Sequence, residues 1–195
     1  MPAIPQIILA STSTYRRELL SRLCLPFDVE SPGVDETPLP QEAPEDTARR
    51  LAESKARAVA ERFPQAVVIG SDQVAVLDGS ALGKPGNHAN AVRQLRAMRA
   101  KEVAFHTALC VCSAASGRAL TRVVPYRVRF RDFTDAQIER YLEREQPYDC
   151  AGSARCEGLG IVLIEEMRGD DPNALIGLPL IALTEMLTEF GVSVL

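Results

Sequence analysis

The chain has 195 residues, 46% of them apolar and 25% charged, with a formal net charge of −4. That length suits one domain, or two lobes sharing a sheet, and buries roughly 70% of the surface an unfolded chain exposes. An acidic balance gives no general attraction to a nucleic acid polymer or an anionic membrane, so an anionic ligand has to be drawn by a local cluster of bases.

The five cysteines are odd in number and form no C-x-x-C pair, and His88 and His106 are the only histidines. This pattern argues against zinc and for reduced thiols in a cytoplasmic protein. Ile7–Ala10 is too short for the apolar region of a signal peptide, and no run approaches the ~20 apolar residues of a membrane helix.

In chain order, Gln6 to Ala10 reads as a short buried strand. The hydroxyl-rich Ser11-Thr-Ser13 follows, and Ser13 is a good N-cap for a helix through Cys24. Arg16 and Arg17 fall in its first turn, where the helix dipole disfavours cations unless an anion joins them. Two solvated arginines are one reading; a phosphate site built from Ser11, Ser13, Arg16, Arg17 and the free N–H groups is the other. Phe27 to Val29 is a second short strand, and Ser31 to Pro44, with four prolines, is a loop. Asp35 and Glu36 lie in it; such acids are commonly solvated, but they are also ligands that Mg²⁺ prefers.

From Glu45 to Phe63, Ala48, Leu51, Ala52, Ala56, Val59, Ala60 and Phe63 recur at helical spacing. Lys55 sits in the middle of that stripe. Either it snorkels to the surface or it aims into a cleft, and the second reading is favoured. Because methionine would extend the stripe, Lys55→Met is expected to be tolerated or stabilising.

Val67 to Pro85 is the most informative stretch. Apolar β-branched runs flank Ser71, Asp72 and Gln73, Asp78-Gly79 supplies a hairpin turn, and Lys84 follows. A carboxylate inside a strand must be wet, paired or metal-bound, because burying it alone is costly. Asp72 could merely end a strand, but the apolar pattern resumes at Val74, which points to an active-site hairpin.

Asn90 to Met98 is a further helix, Val103 to Cys112 and Thr121 to Phe130 are alternating strands, and Thr134 with Gln137 forms a capping box for a helix to Glu145. Tyr148 to Gly160 reads as a loop, Ile161 to Ile164 as a last strand and Arg168 to Asn173 as a polar loop. A final helix runs from about Pro179 to Phe190, with Gly191 past its end.

Familiar nucleotide motifs fail. Gly79 to Lys84 has one spacer too few for a P-loop, and Pro85 stands where a hydroxyl should hold magnesium. Gly158-Leu-Gly160 lacks the third glycine of a dinucleotide fingerprint, and no G-x-S-x-G elbow is present. The remaining set is an anion-binding helix start, two lysines, a strand carboxylate and a loop glutamate. It suits phosphoanhydride hydrolysis.

Seven segments, in order along nearly the whole chain, resemble the Maf family of nucleoside triphosphate pyrophosphatases: Ser11-Thr-Ser-Thr-Tyr-Arg-Arg17, Val34-Asp-Glu-Thr37, Lys55-Ala56, Gly70-Ser-Asp-Gln73, Gly83-Lys-Pro85, Ala151-Gly-Ser153 and Gly177-Leu-Pro179. The resemblance implies an α/β fold like that of inosine triphosphatases: one Maf-like domain of two lobes, with an elongated mixed sheet, flanking helices and a nucleotide cleft. It implies cleavage of a nucleoside triphosphate to the monophosphate and pyrophosphate with a divalent cation (Mg, Mn or Co), often by a homodimer. It makes Asp72 the proton acceptor and Glu36 with Asp72 the metal ligands, and it gives Arg16, Arg17, Lys55 and Lys84 to the phosphates. Asp-Gln at 72 and 73 resembles the branch acting on 7-methyl-GTP, whose specificity positions fall on Tyr15, Gln73 and Glu157. The alternatives are a dTTP/UTP or general modified-nucleotide pyrophosphatase, and a nucleotide-binding regulator of cell division with little turnover.

Overall fold

Ile7–Ala10 is apolar and buried at all four positions, as a strand covered on both faces must be. In a computed structural model describing residues 5–195, this strand, β1, pairs in parallel with β2 (Asp28–Glu30) on one edge and β3 (Val67–Leu77) on the other. Helix α1 (Thr14–Ser21) links β1 to β2, and α2 (Pro44–Ala60) links β2 to β3. The other strands are β4 (Ser80–Leu82), β5 (Glu102–Ser113), β6 (Arg118–Phe130) and β7 (Ile164–Arg168). Among the described residues the seven strands make one mixed sheet in the order β2-β1-β3-β5-β6-β7, with β4 on β3. The α/β fold expected from the sequence is the one observed.

The chain divides into two compact units, and three strands contribute to both. The first comprises the chain up to Gln73 with Thr107–Val124 and Asp171–Leu195. Its core joins Ile7, Leu9, Val67, Ile69, Leu109 and Val111 to Leu19 and Leu20 of α1. Leu183, Met186 and Leu187 of α6 (Leu180–Glu189) complete it. Gly191, at φ 75°, ends α6: its N–H bonds to Thr188 O and that of Val192 to Leu187 O. That is a Schellman closure.

The second unit, Val74–His106 with Pro125–Asp170, holds the β3–β4 hairpin, α3 (His88–Met98), α4 (Asp135–Glu145) and β7. The hairpin turns on Asp78 and Gly79, both at positive φ, as a two-residue turn of the primed type requires. Thr134 and Gln137 form the expected capping box on α4.

Two expectations shift. The last strand begins at Ile164, and Leu159–Leu163 is a 3₁₀ turn instead. A Cβ on Gly160 would lie 2.5 Å from Arg155 O, so this glycine lets the chain fold tightly on itself. The turn leaves Ile161 and Val162 exposed. The polar stretch before Gly177 contains a short helix, α5 (Pro172–Ile176), capped by the buried Asp171 carboxylate. At five residues it is too short to show a helical period. No helix among the described residues is long and apolar enough to cross a membrane.

Candidate active site

The chain leaves β1 towards β2 on one side, and later returns to β3 on the other. This divergence is the switch point at which open α/β sheets place ligands, beyond the carboxyl ends of the strands. Ser11 follows directly on β1. Its hydroxyl accepts from the Ser13 N–H at 3.2 Å and from Arg16 Nη1 at 3.5 Å. Ser13 caps α1 as expected, accepting from the Arg16 N–H. The two arginines part company here. Arg17 is exposed, whereas Arg16 turns inward and its Nε donates to Gly177 O at 2.9 Å. Desolvation lowers the pKa of its guanidinium, against the pull of Asp72 and Glu36, which raise it.

Lys55 does not snorkel. It is buried with Asp72, and Nζ lies 2.7 Å from Asp72 Oδ1 and 2.8 Å from Glu36 Oε1. Gly70 makes the first contact possible: a Cβ there would lie 2.4 Å from Ala52 O and 2.7 Å from Ala56 N. Strand β3 is thus pressed onto α2 one turn around Lys55, and Asp72 follows two residues later on the same face of the strand. Glu36 arrives on a loop pinned to α2 by Arg50. That guanidinium donates to both Glu42 oxygens, at 2.6 and 2.7 Å, and to Thr37 O at 3.2 Å.

Ser71 and Gln73 bind the same strand to its surroundings. The buried Ser71 hydroxyl lies within hydrogen-bonding distance of Ala108 O and Gly177 O, at 2.8 and 2.9 Å. Gln73 Nε2 faces three acceptors at 2.9–3.0 Å: Thr107 Oγ1, Ala174 O and Leu175 O. Because all three are acceptors, the amide nitrogen must face them, which leaves the carbonyl oxygen to accept elsewhere. Sequence reasoning missed Thr107, Arg50 and Gly177 O. Their signals are a hydroxyl in an apolar strand, an Arg spaced from Glu42, and a glycine in the Gly177-Leu-Pro179 segment.

Ser11, Ser13, Arg16, Glu36, Lys55, Asp72 and Gln73 all belong to the first unit, as does the half-buried Tyr15 on α1. Lys84 and Glu157 belong to the second. Lys84 is exposed on the segment after β4. Glu157 is held by Arg155 Nε at 3.2 Å, and Arg155 is in turn held by Glu145 at 3.1 Å.

A family model described as Maf-like protein matches residues 6–190. The chain belongs to the Maf family. Among the relatives of this Maf protein, the 7-methyl-GTP pyrophosphatase of Methylobacillus flagellatus is 62% identical, over 98% of this chain and all of that one. That of Nitrosospira multiformis is 60% identical, over 97% and 96%. The Staphylococcus aureus Ham1 protein superposes with a TM-score of 0.47 at 17% identity, over 65% of this chain and 72% of that one.

Proposed function

We propose that this Maf protein hydrolyses 7-methyl-GTP to 7-methyl-GMP and pyrophosphate. The observation that carries the chemistry is the buried Asp72 carboxylate held against Lys55 and Glu36 at the switch point of the sheet. Full-length relatives at 62% and 60% identity that bear that activity's name support the substrate.

Two carboxylates beside a basic cluster fit a divalent cation, which hard oxygen donors prefer. Glu36 and Asp72 would hold it, and when bound it supplies neutralisation of phosphate charge and a more acidic water. Asp72 takes a proton from the water that attacks the α-phosphorus, and the bond to the bridging oxygen breaks as pyrophosphate leaves. Arg16, Lys55 and the outward Arg17 offset charge on the phosphates, and the Ser11 and Ser13 hydroxyls donate to phosphate oxygens.

Methylation at N7 makes the purine cationic, which strengthens stacking on an aromatic ring such as Tyr15. Gln73, with its nitrogen engaged, offers an oxygen to an N–H of the base. The resemblance gives Lys84 to the phosphates and Glu157 to the base, and these two roles rest on it alone.

A screen of pyrophosphate release over canonical and modified triphosphates tests the reading. The expected kcat/KM for 7-methyl-GTP exceeds those for GTP and dTTP by at least ~10-fold. Asp72→Asn is expected to lower kcat by ~10²–10⁴. Equal turnover of GTP and 7-methyl-GTP overturns the substrate; an Asp72→Asn variant with unchanged kcat overturns the role of Asp72.

A further inference from the structure

The Glu36–Asp72 pair already holds a cation of the protein's own. Lys55 Nζ contacts one oxygen of each carboxylate, at 2.8 and 2.7 Å, and Arg16 is in electrostatic reach of both. Two carboxylates against two bases sum to zero formal charge, so this cluster offers a free dication little net attraction. The donor count points the same way. Among the described residues no group of three or more His, Cys, Asp or Glu side chains is arranged to hold a metal. Hard divalent cations require about six oxygens and, in phosphate sites, commonly combine one or two carboxylates with substrate phosphates.

We propose that Lys55 is the resident cation of the site, so that a divalent metal gains Glu36 and Asp72 only together with a nucleoside triphosphate. The inference rests on the pyrophosphatase reading and deepens it. Triphosphate brings several negative charges to the cluster. The lysine ammonium, with three donors on a flexible stem, then exchanges carboxylate oxygens for phosphate oxygens. The two carboxylates released from it become ligands. By linkage, metal and nucleotide must each tighten the binding of the other by the same factor.

The test is Mn²⁺ binding to the full chain by calorimetry. It is measured alone and with a triphosphate analogue whose α–β bridge is a methylene group, after correction for Mn²⁺ chelated by the analogue in buffer. Mn²⁺ is expected to bind at least ~10-fold more tightly with the analogue present. Lys55→Met, freed of the resident cation, is expected to bind Mn²⁺ alone more tightly than the unmutated chain and to gain more melting temperature from it. Glu36→Gln alters an exposed side chain and keeps the measurement informative if Lys55→Met does not fold; the analogue's enhancement should shrink in it. Equal Mn²⁺ affinity with and without analogue, in a chain that still releases pyrophosphate, overturns the inference and leaves the activity standing. A folded Lys55→Met that binds Mn²⁺ no better also overturns it. Failure to release pyrophosphate or bind the analogue overturns both.

Discussion

Asp72 and Lys55 show how a neighbour reverses the meaning of a residue. Read along α2 alone, Lys55 interrupts an apolar stripe, and replacing it by methionine looks stabilising. In the fold the ammonium faces a carboxylate that is itself buried. Removing one member of such a pair leaves an uncompensated charge, typically at a cost of about 3–5 kcal/mol. Lys55→Met is therefore expected to destabilise at neutral pH by about 3 kcal/mol, moderated by the nearby Arg16. Asp72→Asn in the same chain should restore much of that, and urea denaturation of the two single variants and the double variant measures the coupling. Additive losses in that cycle would show that the pair is not a unit.

At the scale of elements, the contact of α2 with β3 depends on one missing side chain. A Cβ on Gly70 would drive into the Ala52 carbonyl and the Ala56 N–H, and backbone does not yield as a side-chain tip does. Gly70→Ala is thus expected to cost about 1–3 kcal/mol, as overpacking does, and also to lower kcat by parting Lys55 from Asp72. Melting temperature and pyrophosphate release, measured together, check both halves. Much of this was legible in the sequence: the stripe of α2, the caps of α1 and α4, the Asp78-Gly79 turn and the placement of Asp72 inside a strand all follow from local chemistry. The resemblance supplied the site residues that local patterns could not join. What remained hidden depends on contacts distant in sequence. The Gly70 approach, the Gly177 carbonyl shared by Arg16 and Ser71, and the clamp of Thr107 on Gln73 link positions up to 161 residues apart. Helix α5 and the turn before β7 escaped because neither is long enough to display a period.

Over the whole molecule, hydrogen-bonded surface carboxylates contribute to the response to acid. Arg50, clamped on Glu42, holds its pKa at about 2, below the ordinary 4.5. Asp35, bonded by Thr37, and Asp135, bonded by Arg99 and Arg96, are also lowered. A depressed carboxylate stabilises the fold fully above its unfolded pKa and loses that contribution as pH falls towards the folded value. For Glu42 the window runs from about 4.5 down to about 2. Glu42→Gln is expected to be less stable than the unmutated chain at pH 7, with the gap narrowing below pH 4.5. Urea midpoints recorded from pH 7 to pH 3 test this, and parallel curves would remove Glu42 from the account.

Neither compact unit is a continuous piece of chain, and that bears on how the protein is made. The segments of the second unit end at Asp170, whereas the first needs Asp171–Leu195 to close over Ile7, Leu9 and Ile69. On a ribosome, β1 must therefore wait for the helices that follow Asp171 before its apolar face is covered. During that interval β1 and β3 present an unfinished surface to chaperones. A nascent chain arrested before Asp171 should be cut by protease around β1 and β3, while one carrying Asp171–Leu195 clear of the ribosome should resist.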